Sequence, residues 1–148
     1  MLTGSKLGLI VLLVSLGLAG CASGDSPSVN AAGERPEISP RAIENTVELL
    51  EEDSLVREVF IGVDGEQVVI SLAINHAITD DAAKEKLDNA VRYLASQAAS
   101  EHDSLSSPRG DHLGDLWDHY TLRVVAGTGP EDIRVIGVKA PRAAGITW

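Results

Sequence analysis

A chain of 148 residues with 22 acidic side chains against 12 Lys and Arg, a formal net charge of −10, suits one domain. It is poorly equipped to hold nucleic acid, whose phosphates are bound by clustered Lys and Arg, or to attach electrostatically to anionic lipids. With one Phe, two Tyr and two Trp, the core must be built from Val, Ile, Leu and Ala, and stacking platforms for sugars or bases are scarce.

Residues 1–20 have the organisation of an export signal: a short start with one cation, Lys6, an apolar run from Leu7 to Leu18, then small residues. The run is shorter than the roughly 20 apolar residues that span a bilayer core. Leu18-Ala19-Gly20-Cys21 resembles the lipobox of bacterial lipoproteins, and only this segment carries the resemblance. The resemblance implies cleavage between Gly20 and Cys21, a diacylglycerol thioether on the Cys21 sulfur, and often an N-acyl chain such as palmitate on the new amino terminus. A cysteine suits that alkylation because its thiolate is a strong nucleophile, and two or more chains give stable anchoring where one does not. The alternative is an incidental cysteine in an ordinary secretory signal. Ala22 stands where an aspartate commonly retains a lipoprotein in the inner membrane. The resemblance therefore implies the outer membrane of a two-membrane bacterium, or otherwise the outer face of the cell membrane. With the single cysteine carrying lipid, no thiol remains for a disulfide, a zinc site or a nucleophile.

From Ala22 to about Glu37 the chain is rich in Ser, Gly, Pro, Asn and Ala without apolar period. Residues 21–38 thus read as a lipidated cysteine and flexible tether, and 39–148 as one small domain. Ser39-Pro40 is a helix start, with a hydroxyl to accept backbone N–H groups and a proline where its missing donor is harmless. Ile43, Val47 and Leu50 recur at helical spacing up to about Glu52. Glu51, Glu52 and Asp53 oppose the helix dipole, which a solvated end tolerates.

Val59, Ile61 and Val63 alternate, Asp64-Gly65 interrupts, and Val68, Ile70, Leu72 and Ile74 alternate again. Asp-Gly is a favoured two-residue hairpin loop, which would pair Val63 with Glu66 and Ile61 with Val68. Thr79 caps a second helix with Asp80 and Asp81 in its first turn and a stripe of Ala83, Leu87, Ala90, Val91, Leu94 and Ala98 running to about Ser100. A polar segment from Glu101 to His119 follows, pinned by a short turn at Leu113, Leu116 and Trp117. Tyr120, Leu122, Val124 and Ala126 then alternate, as do Ile133, Val135 and Gly137 beyond the turn Gly127-Thr128-Gly129-Pro130. The expected fold is α+β: a two-layer sandwich with an antiparallel sheet of about four strands and two helices, in the order α-β-β-α-β-β.

The one cluster with atoms suited to a divalent metal or to acid-base work is His102, Asp103, Asp111, His112, Asp115, Asp118 and His119, imidazoles and carboxylates on a long loop. Its spacings match no motif that sets two ligands on one helix face. His76 reads as a strand-end residue beside Asn75 and Thr79. Ser104, Ser106 and Ser107 have no nucleophile-elbow context. Gly127-Thr128-Gly129 joins two strands, so it is a hairpin turn before it is a phosphate loop. Trp148 gains by packing back on the domain, with exposure to a partner or a membrane interface as the alternative.

These readings converge on a lipid-anchored envelope protein acting as a non-enzymatic interaction or structural module, touching the membrane through its lipid and another envelope protein through its domain. A metal- or solute-binding lipoprotein using the loop 102–119 is the alternative, and an envelope hydrolase the third. No cofactor is implied beyond the Cys21 lipid and, in the alternative, a divalent ion.

Overall fold

The computed structural model describes residues 34–148; the signal segment, Cys21 and the tether up to residue 33 lie outside them. Ser39 Oγ accepts the Ala42 N–H at 3.0 Å and Pro40 opens the first helix, α1 (Pro40–Glu51). Its most buried positions are Ala42, Thr46 and Leu50, with Ile43 and Val47 only partly buried. The stripe is rotated from the apolar period because Thr46 can go inside: its hydroxyl donates to the Ala42 carbonyl at 2.7 Å, so no polar group is left unpaired. At the acidic end of α1, Glu51 and Glu52 are exposed to solvent, as expected, and only Asp53 finds a partner. Asp53 pairs with Lys86 and accepts the Leu55 N–H, and the Lys86 bond, then that backbone bond, hold its carboxyl below the usual range.

Strands β1 (Val56–Asp64) and β2 (Gln67–Ile74) form the first hairpin. Asp64 pairs with Gln67 and Ile61 with Ile70, so the two-residue loop is Gly65-Glu66 and the register is displaced from the Asp-Gly expectation. Only Gly65, at φ 57°, sits at positive φ there, as in a II′ turn. The same residues still face inward, because the displacement is even. Val56 and Ile61 are both buried although they are an odd number of residues apart; an extra residue, Arg57, bulges between the pairs Val56–Ile74 and Glu58–Ala73 and restores the phase.

Helix α2 (Asp80–Glu101) begins at Thr79, whose hydroxyl accepts from Ala82, and buries the expected stripe plus Ala95. It packs on β2, on β3 (Thr121–Gly129) and on β4 (Asp132–Lys139), while α1 covers β1. The strand order is β1-β2-β3-β4. The sheet is mixed, which corrects the expected antiparallel one: β2 and β3, at its centre, are parallel, with Gln67 opposite Thr121 and Leu72 opposite Ala126. Parallel neighbours need a crossover of a dozen or more residues, and α2 supplies it by returning along the sheet. The Thr121 N–H then reaches the Glu66 carbonyl at 2.8 Å, which starts β3 beside the first hairpin turn.

The last hairpin turns at Pro130-Glu131. Arg134 is bulged out of β4 and Thr128 out of β3, which frees Arg134 to reach Asp80 at 2.6 Å. The chain ends by adding Thr147 to the β4 edge through two 2.9 Å bonds with Val138. Ile146 and Trp148 then pack into the space left by Gly137, so Trp148 is docked but half exposed. A single core results, sealed by the 3₁₀ turn Asp115–Asp118, which buries Leu116 and Trp117.

Candidate interaction surface

Among the described residues, the helices cover one face of the sheet only. On the other, three rows of side chains follow from the register: Glu58, Ala73, Gly127 and Ile133; Phe60, Ser71, Val125 and Ile136; and Gly62, Val69, Arg123 and Val138. Phe60 is 60% exposed, Ile136 45% and Val138 46%. A large aromatic and two β-branched side chains on one open face are more than the scattered single apolar residues of an ordinary surface. The Phe60 ring lies beside Gly62, where a Cβ would meet it at 3.0 Å.

Beside the ring is a trough of about 310 Å³, bounded by Phe60, Arg57 and Pro130 and floored by Ser71, Ala73, Val125 and Gly127. Small residues make the depression, and the bulge at Arg57 aims its guanidinium over it to the Thr128 carbonyl at 2.8 Å. Sequence reading missed this face because it followed only the phase of β1 and β4 that enters the core. The signal was present: Ile133, Val135, Ile136 and Val138 are apolar in both phases, as in a strand covered on both sides.

The His/Asp loop is tied down by its own side chains. His102 Nε2 lies 2.8 Å from the Glu37 carbonyl. His112 Nδ1 accepts the Gly114 N–H at 3.1 Å, which leaves its proton on Nε2, 3.7 Å from Asp115. Asp115 accepts the Ser106 N–H at 3.0 Å, and its bonds from Ser106, with His112 and His119 nearby, hold its carboxyl below the usual range. Asp103 and Asp111 are exposed, Asp118 and His119 partly buried. Among the described residues no three His, Cys, Asp or Glu side chains come together as a set that could hold a metal ion. His76 is exposed in the turn after β2, and Cys21 lies outside the described residues.

One charged group escaped the sequence reading. Lys139, at the end of β4, is 3% exposed and donates to the Trp117 carbonyl at 3.1 Å and the Ala140 carbonyl at 3.4 Å. Burial pushes its ammonium below the usual range, opposed by the Asp118 carboxylate. It lines a cavity of about 320 Å³ with His112, Asp118 and Arg142. Its inward phase, shared with Val135 and Gly137, was the available signal.

No helix among the described residues is long and apolar enough to cross a membrane. Comparison of the chain with protein-family models, with curated proteins and with solved structures finds no match in any of the three.

Proposed function

We propose that this chain is a lipid-anchored envelope protein whose α+β domain is a non-enzymatic interaction module, and that the module binds through the open face of its sheet. The observation that carries the reading is the row Phe60, Ser71, Val125 and Ile136, which crosses all four strands on the uncovered side. An exposed apolar face of this kind marks association in folded proteins. The anchor rests on Leu18-Ala19-Gly20-Cys21 behind its apolar run.

Two measurements test the two halves. Mass spectrometry of the chain purified from bacterial membranes should find Cys21 amino-terminal and carrying a diacylglycerol thioether, and Cys21→Ala should abolish that mass and release the chain from membranes. An unmodified Cys21 would remove the anchor. A photo-reactive amino acid at Ile136 of the same chain should capture a macromolecule, whereas one at exposed Glu44 of α1 should not; equal silence at both sites would remove the surface.

A further inference from the structure

We infer that the open sheet face pairs with the same face of a second copy of this chain, giving a helix–sheet–sheet–helix dimer. The inference rests on the reading of that face as the interaction surface and names its occupant. Four strands about 4.8 Å apart, carrying outward side chains about every 6.7 Å, make a face of roughly 20 by 25 Å. Two such faces bury on the order of 1,000 Å², which is where specific interfaces begin.

Charge decides whether an acidic chain can meet itself. Within the three outward rows the only carboxylate is Glu58, on the edge strand, and the only cation is Arg123, one strand in from the other edge; the same phase adds Asp64 at the end of β1, and Arg57 reaches over the trough. The acids concentrate on the opposite layer, with Glu44, Glu48 and Glu51 on α1 and Asp80, Asp81, Glu85 and Asp88 on α2. Sheets packed about 10 Å apart leave the helical layers outermost, roughly 30 Å from each other, against a screening length of about 8 Å at physiological salt. Repulsion between the acidic layers is therefore weak when the sheet faces meet.

A two-fold axis along the strands completes the geometry. It lays β1 over β4 of the second copy and β2 over its β3, so Phe60 meets Ile136, Ser71 meets Val125, Arg123 meets Val69, and no like charges face each other. Contacts of this kind are reciprocal and close at two subunits. The amino-terminal segment is bound at the Gly65 end of the sheet, through Arg35 to the Gly65 carbonyl. The same axis thus places the Arg35 residues of both copies at one end of the dimer, as two chains anchored in one membrane require.

The experiment uses the full-length chain, made in bacteria in two differently tagged forms, with a photo-reactive amino acid at Ile136. The expected product is an adduct of twice the chain mass bearing both tags, at least tenfold weaker when Phe60→Glu is present. Phe60 is exposed, and unchanged protease resistance of the variant would show that its fold is kept. An adduct to another protein alone would overturn the dimer and leave the interaction surface standing; no adduct at all would overturn both. A two-tag adduct indifferent to Phe60→Glu would overturn the face-to-face geometry.

Discussion

The Tyr120 hydroxyl donates to the Pro36 carbonyl at 2.7 Å, joining the residue before β3 to a segment 84 positions earlier. Around that bond Arg35 pairs with Glu66, donates to the Gly65 carbonyl and stacks over the Tyr120 ring at 5.5 Å, while His102 holds Glu37. Residues 35–38, at the end of the stretch read as tether, therefore lie on the domain, with Ile38 in the core. A cation over an aromatic face adds about 0.5 to 1 kcal/mol at a partly exposed site.

Tyr120→Phe should remove about 1 kcal/mol from the unfolding free energy and raise the rate of cleavage by a glutamate-specific protease after Glu37. Urea denaturation and limited proteolysis measure the two effects. Unchanged cleavage would mean that the segment is held by Ile38 and His102 without the hydroxyl.

Gly127→Ala and Gly137→Ala should differ in severity. A Cβ at Gly127 would meet the Asp132 carbonyl oxygen at 2.2 Å, a backbone atom held in the last hairpin. At Gly137 it would meet the side chains of Ile146, Trp148 and Val124 at 2.6 to 2.8 Å, and two of these belong to the chain end, which can move. Overpacking costs about 1 to 3 kcal/mol, so Gly127→Ala should lie at or beyond the top of that range and Gly137→Ala near its bottom. Thermal unfolding of both variants ranks them, and Trp148→Ala should soften only the second.

Stability should fall on acidification. The carboxyls of Asp53 and Asp115 are both held below the ordinary aspartate range, by Lys86 and by Ser106 respectively. A group whose folded pKa is depressed stabilises the fold above its unfolded value, near 3.9, and that contribution disappears as pH falls through the folded value. Urea midpoints should therefore be level from about pH 7 to 5 and decline below about 4. Asp53→Asn should flatten the decline, and an unaltered acid limb in that variant would show that the Asp53–Lys86 pair does not carry it. Both carboxylates are largely solvated, so the effect is small.

Zinc should not bind stoichiometrically to the loop 102–119. His102 is engaged by Glu37 and Asp115 by Ser106, and His112 uses its Nδ1 lone pair on Gly114. Calorimetric titration with zinc should give no one-to-one isotherm. Tight binding lost in His112→Ala would reinstate the metal-binding reading.

Local signals carried much of the fold. Ser39-Pro40 and Thr79-Asp80-Asp81 placed both helix starts, and the stripe from Ala83 to Ala98 placed the buried face of α2. Capping and periodicity act within a turn or two, so one stretch of sequence contains the whole interaction. The hairpin around Gly65 was legible as a turn but not in its register, because Asp64-Gly65 and Gly65-Glu66 both satisfy the loop chemistry and bring the same apolar phase inward.

The sequence by itself determined the helix–hairpin order, the motif at Cys21 and most of the inward phase of the strands, since each depends on neighbours in the chain; Ile133, expected inward with Val135, is turned outward by the bulge at Arg134. Only the tertiary structure decided that β3 lies parallel beside β2, because strand direction depends on how far α2 carries the chain back along the sheet. It likewise decided that among the described residues the helices leave one face open, that Phe60 and Ile136 share a row there, and that His102 and His112 of the loop turn to backbone partners. Those relationships join residues distant in sequence, and no local propensity encodes them.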